Sequence, residues 1–277
     1  MKHKTILSTK KRVSRKGWVL AAGSLILSIL VIAGLLQVNQ KRNEEVFQKL
    51  ISEILSVSHQ QQEFEARNII DTTQRSLEAI AAIYQTSDAD PDSAWTQSYL
   101  KAVQNFNSVR DIRYFSADTL RSMLETPIPG TDPQGIENLL NGHPYISDLF
   151  QQKQYGTDAL ISISVPVIQN DQVIGAFHSI LNADLLVNVP NSDDEEYAQN
   201  FLVRRDGEII LEPYGWPEIP YHLQTELEGI GASDSAMGNV ETALKQGESE
   251  MMLIKGADNR ALYITISSLG YNDWLLL

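Results

Sequence analysis

Arg113 beside Tyr114, in "VRDIRYFSAD" (Val109–Asp118), is the pairing best suited to hold a small anion. A guanidinium grips a carboxylate through two parallel hydrogen bonds. The run has strand character, and alternation sends Arg110 and Arg113 to opposite faces, so at most one of them faces a pocket. The competing reading of Arg113 is a solvated surface arginine, the common fate of a charged side chain. Other chemistry is scarce. The five histidines are scattered, with no H-E-x-x-H or other metal spacing. There is no G-x-S-x-G elbow, no phosphate-binding glycine loop and no cysteine. Asp193, Asp194, Glu195 and Glu196 could attract a cation, but consecutive carboxylates on a linker are ordinarily solvated. No catalytic residue, metal site or cofactor is expected, which favours binding over catalysis.

The elements that position Arg113 begin at the membrane. Of 277 residues, 43% are hydrophobic and 21% charged, a composition that folds. The net charge is −13, yet residues 1–16 carry seven Lys or Arg and no acid, which leaves −20 on the rest. An acidic body is a poor partner for nucleic acid. The basic tip precedes "GWVLAAGSLILSILVIAGLLQV" (residues 17–38), which carries no charge. Roughly 20 apolar residues span the ~30 Å hydrocarbon core. Trp18 stands where an interfacial aromatic belongs, and the positive-inside rule puts the N-terminus in the cytoplasm. A cleaved signal is the rival, but its apolar core is shorter and ends in a small-residue site. The expected location is the cytoplasmic membrane, single-pass in this chain, with residues 39–277 extracytoplasmic.

Residues 39–85 lack Pro and Gly and carry apolar residues at helical spacing (Phe47, Leu50, Ile51, Ile54, Leu55, then Ile69, Ile70, Leu77, Ile80, Tyr84). This predicts a long stalk helix over 39–86. It packs on its own domain, or part of its stripe pairs with a second copy as a homodimer, although the heptads lapse around Ser58–Gln62. "TSDADPDS" ends it. A helix over "AWTQSYLKAVQNF" follows, then the Arg113 strand, then a mixed stretch over 119–157, with "TPIPGTDPQG" as a loop and "GIENLLNGHPYISDLF" as a short helix leading to a turn. "DALISISVPVI" alternates like a half-buried strand, with Pro166 suiting an edge or bulge. "QNDQ" turns it, and "VIGAFHSIL" returns antiparallel. After the acidic link at 189–199, "NFLVRRDGEIILEP" reads as a hairpin about Asp206-Gly207. A helix around Gly238–Gln246 and three strands complete the chain.

The order anchor, stalk and two α/β modules resembles the double Cache extracytoplasmic sensor regions of bacterial transmembrane receptors. "ISISVPVIQNDQVIGAFHSILNADLL", "NFLVRRDGEIILEP" and "YNDWLLL" carry the resemblance, over roughly residues 40–277. It implies an α+β fold: a transmembrane helix, a long stalk helix, and two PAS-like antiparallel-sheet modules. The expected division is 1–16 basic tip, 17–38 membrane helix, 39–86 stalk, 87–190 membrane-distal module and 191–277 membrane-proximal module.

The resemblance also implies a function. A small molecule (organic acid, amine or amino acid) binds in the distal module, and a conformational change is relayed across the membrane. The R-x-W core of the amino-acid-binding subgroup is absent, so the resemblance does not specify an amino acid. Tyr145, Ser147 and Asp148 lie where members of the family line the pocket, though Tyr145 is also an ordinary core candidate. Phe177 and Ser179 share one face of the returning strand and join Arg113 as candidates, with plain core the other reading of Phe177. His178 falls on the opposite face and reads as structural or exposed. The chain itself is expected not to be an enzyme; an output kinase or cyclase would lie beyond residue 277. The alternative is a single-pass anchored binding or interaction protein without an output module.

Overall fold

A chain with neither Pro nor Gly from 39 to 85 has nothing to interrupt a helix, and Arg15–Gln85 forms one, α1. The computed structural model describes residues 15–85, 93–106, 109–156, 158–187, 199–213, 215, 217, 221–257 and 261–277. Side chains of 15–41, 44–45, 95 and 105–106 lie outside the description, and so does the acidic run Asp193–Glu196. Among the described residues no helix is long and apolar enough to cross a membrane. The predicted span 17–38 is helical in its backbone, but its side chains fall outside the residues described.

Two compact units divide the chain, residues 1–54 and 55–277. In the first, Val46, Phe47, Leu50 and Ile54 of α1 stand exposed. In the second, α1 buries Ala66, Ile70, Leu77, Ile80, Ala81 and Tyr84, a stripe at helical spacing, in the main core. The helix α2 (Ala94–Phe106) follows.

The first sheet holds β1 (Val109–Ser116), β2 (Tyr145–Ile146), β3 (Leu160–Gln169) and β4 (Gln172–Asn182), antiparallel in the order β1-β4-β3-β2. One face, carrying Ile112, Ile161, Ile163, Val165, Phe177 and Leu181, packs with the α1 stripe. The other is covered by α3 (Ala117–Glu125) and α4 (Pro133–Leu140) through Leu120, Met123, Ile136 and Leu139. Both are capped as their sequences allow: Ser116 accepts from Thr119 N, and Asp132 accepts from Gly135 N ahead of Pro133. With both faces covered, β3 is buried throughout Leu160–Val167 and is not the half-buried strand expected. Nor is it an edge strand, but the other expectation for Pro166 holds: the register shifts just beyond it, between Val167 and Ile168. Pro166 is tolerated because β2 pairs only with Ile163 and Ser164, so no β2 acceptor waits for the missing N–H. The β3–β4 turn places Asn170 and Asp171 at φ 49° and 60°, as a two-residue hairpin requires. A Cβ on Gly175 would stand 2.3 Å from the Phe115 carbonyl, so only glycine lets β1 and β4 approach there.

The second sheet runs β10-β11-β5-β6-β7, with β5 (Leu202–Arg204), β6 (Glu208–Leu211), β7 (Tyr221–His222), β10 (Ser267–Ser268) and β11 (Trp274–Leu276). A hairpin of β8 (Met252–Lys255) and β9 (Ala261–Ile264) precedes β10. The helices α5 (Leu223–Gly229) and α6 (Asp234–Gln246) pack Leu223, Leu227, Val240 and Leu244 against Val203, Ile209, Ile254, Ile264 and Leu275. The α6 helix starts four residues before the expected Gly238, at the cap Ser233, whose hydroxyl accepts from Ala236 N.

Candidate functional site

Strand register sorts the first sheet's residues by face. A bulge between Val109 and Asp111 takes up Arg110, which pairs with Asp158 at 2.5 Å. Beyond the bulge, Asp111 and Arg113 share the face under α3 and α4. Opposite them in the ladder lie Ile180 and His178 on β4, and next across lie Ser162 and Ser164 on β3. A row of polar groups therefore crosses an otherwise apolar sheet. Ser162, Ser164 and His178 in this row are buried.

The exposed end of the row is an ionic cluster. Asp111 Oδ2 accepts from Arg113 Nε at 2.5 Å and from the Tyr155 hydroxyl at 3.2 Å, with Tyr155 on a short 3-10 turn, Lys153–Tyr155. Burial and then the Asp111 charge raise the Tyr155 pKa, so the phenol stays a donor. The buried end is His178, 3% exposed. Its Nδ1 meets Ser164 Oγ at 2.8 Å and its ring lies 5.5 Å from that of Phe115. Its Nε2 has no hydrogen-bond partner among the described residues. Burial lowers its pKa to about 4, against the opposing pull of Asp111 and with the help of Arg113. The imidazole is thus neutral at pH 7. An unsatisfied buried polar atom costs about 1–3 kcal/mol, which a bound polar group would relieve.

The six residues singled out from sequence do not form one site. Arg113 sits in the row, half-exposed and tied to Asp111. Phe177 and Ser179 face the other way, into the core. Phe177 is fully buried between the rings of Tyr84 and Tyr114, and Ser179 donates to Ile163 O at 3.0 Å. They are scaffold, because the face they share is the one α1 covers. His178, read as structural or exposed, is buried on the candidate face.

Tyr145, Ser147 and Asp148 belong to a seam between the two sheets. The Tyr145 hydroxyl donates to Asp132, and burial with that carboxylate raises its pKa. Ser147 Oγ donates to Asp148 O and accepts from Ser162 N. Asp148 accepts from Arg204 at 2.5 Å and from Trp274 Nε1 at 3.3 Å, both on the second sheet. Asn272 donates to Ser147 O at 2.8 Å and to Ile146 O at 3.2 Å. A cleft of about 610 Å³ opens here, lined by Asp132, Tyr145, Asp148, Tyr271, Asn272 and Asp273. Two carboxylates in its lining are already engaged. Asp132 holds Tyr145 and the Gly135 amide, while Asp148 holds Arg204 and Trp274. The polar row keeps an unspent acceptor or donor, which makes it the better binding surface.

No family model matches the sequence, and neither does any curated protein. Solved structures do match. The periplasmic sensory domain of the Campylobacter jejuni chemoreceptor Tlp1 aligns at TM-score 0.55 and 14% identity, over 83% of this chain and 93% of that one. The ligand-binding domain of the Pseudomonas fluorescens chemoreceptor CtaA, solved with L-serine, aligns at 0.52 and 16%, over 83% and 96%. That of the Pseudomonas aeruginosa amino-acid chemoreceptor PctB, solved with L-Arg, aligns at 0.53 and 14%, over 82% and 93%. The long helix and the two antiparallel sheets agree with these likenesses: the chain has the double Cache fold of ligand-binding sensory domains.

Proposed function

We propose that the chain is the extracytoplasmic sensing region of a membrane-bound signal-transduction receptor. Residues 17–38 anchor it with the N-terminus inside, and a small zwitterion binds at the polar row of the first, membrane-distal module. The observation that carries this reading is His178, buried and neutral with Nε2 unpartnered, one strand away from the Asp111–Arg113 pair. An ion pair of that kind can be exchanged for two, with the ligand's ammonium on Asp111 and its carboxylate on Arg113. The exchange keeps both protein charges compensated, so it avoids the penalty of leaving either alone. Three structures of this fold, with TM-scores of 0.52–0.53, hold L-serine, L-Arg and asparagine, which are zwitterions. The seam supports the relay: the two residues that follow β2 link both sides, Ser147 accepting from Ser162 N on β3 and Asp148 accepting from Arg204 and Trp274 of the second sheet.

The test is thermal shift of the full chain in detergent micelles against L-serine, L-arginine, L-asparagine, simple dicarboxylates and amines. A compound held at about 100 times its Kd adds about 2.7 kcal/mol of stability. Arg113→Ala should remove that shift at a modest cost to the unliganded melt, since Asp111 loses its ion pair but keeps the Tyr155 hydroxyl. A ligand shift of full size in Arg113→Ala rejects the site.

The proposal includes a homodimer through α1. Phe47, Leu50, Ile54, Val57 and Phe64 follow a three-four spacing, with Gln61 completing the register, and all five are more than half exposed. A parallel pair of anchored helices would cover this seam. Val57→Asp should shift the particle to half its mass in analytical ultracentrifugation, and an unchanged mass counts against the dimer.

A further inference from the structure

We infer that the second module carries its own ligand site, for an aromatic primary amine. The inference does not rest on the site proposed in the first module. A cavity of about 520 Å³ opens at one end of the second core, a size that suits a small organic ligand. Its floor is Ile209, Leu223 and Ile264, each no more than 4% exposed, and Phe201 and Tyr221 flank it. These side chains accept a flat apolar ring without leaving a polar group unpaired. Among the described lining residues Glu226, exposed on α5, is the one acidic side chain, and none is Lys or Arg. His59, also in the lining, has its pKa lowered by burial, against the pull of Glu63, and its Nε2 meets Ser267 Oγ at 3.0 Å. Among the described residues the cavity therefore offers an apolar floor and one negative charge, that of the exposed Glu226. That charge pattern selects a ligand whose ring enters and whose ammonium stays near water at Glu226, and it repels a carboxylate.

The cavity also touches the elements that carry a signal. Leu55 and Ser58 of α1 form another wall. A ring seated there braces α1 against the second sheet, so occupancy biases the same helix the first module packs on. The site can act as a second input to one output, which requires different affinities for the two states.

Isothermal titration of the full chain in micelles with 2-phenylethylamine tests this, with 3-phenylpropionate as the anionic counterpart. The amine should bind saturably and the acid should not. Glu226→Gln, on an exposed helix position, should weaken the amine at least tenfold. Ile264→Trp, which fills the floor, should abolish binding, and its melting curve reports whether the fold survives. Arg113→Ala should leave the amine isotherm unchanged, which separates this site from the first. No saturable amine binding, equal binding of the acid, or amine binding lost in Arg113→Ala and retained in Glu226→Gln would each overturn the assignment.

Discussion

Replacing Phe177 with alanine is expected to cost about 3–5 kcal/mol of stability, the usual penalty for deleting a buried aromatic ring. Phe177 is completely buried, with ring centroids 5.6 Å from Tyr84 and 5.5 Å from Tyr114. Tyr84 is on α1 and Tyr114 on β1, so the ring is the point where helix and sheet meet. Tyr114 hydroxyl donates to Ile174 O at 2.9 Å, and Tyr84 hydroxyl meets Thr96 Oγ1 at 2.6 Å. Both partner rings are thus pinned and cannot swing in to fill the hole, which places the cost toward the upper end. Thermal denaturation followed by near-ultraviolet circular dichroism measures it. The folded fraction should keep its ligand affinity, because Phe177 faces away from the polar row. A loss under 1 kcal/mol, or a normal melt with abolished binding, would return Phe177 to the ligand site.

Acid should destabilise the first module through His178. Burial lowers its folded pKa to about 4 from a reference of 6.5. Above pH 6.5 both folded and unfolded states hold the neutral ring and no penalty exists. As pH falls from 6.5 to 4 the unfolded chain takes up a proton that the native state refuses, so stability declines. Below about 4 both states are protonated and the loss levels off. A difference of this size corresponds to about 3 kcal/mol. His59, also lowered by burial and opposed by Glu63, adds a loss of the same sign. The difference between wild type and His178→Asn isolates the His178 share. Between pH 7 and 4 the wild-type urea midpoint should fall relative to that of the variant. Parallel curves would mean that the imidazole is solvated and that the buried polar row is wrong.

Much of the architecture was legible because it rests on period and punctuation. The helical stripe on α1, the Asn170-Asp171 turn and the Asp206-Gly207 turn are local signals, and the structure contains each. Helices α3 and α5 were missed. "ADTLRSMLE" has an amphipathic pattern only two turns long, and "LQTELEG" is shorter still; both lean on the sheet for stability. The site was the least legible part. Plain alternation already puts Asp111 and Arg113, two residues apart, on one face; that their side chains pair is a rotamer choice that strand spacing does not encode. Phe177 and Ser179 were correctly paired on one face, but which face α1 would take is a tertiary choice that the strand does not encode. One signal was available. Ser162 and Ser164 interrupt a strand that is otherwise aliphatic, and His178 sits in another, which together mark a buried polar row. Asp148 follows from the family resemblance and lines the cleft at the seam, with its carboxylate committed to Arg204 and Trp274.

The central claim is that a zwitterion docks on the polar row of the first sheet. Hydrogen–deuterium exchange on the full chain, with and without whichever amino acid gives the largest thermal shift, tests it directly. The account predicts slowed exchange in Val109–Ser116, Gln172–Asn182 and residues 152–155, with a smaller effect at 145–148. Binding that leaves those segments unprotected, with protection confined to the second module, would contradict it.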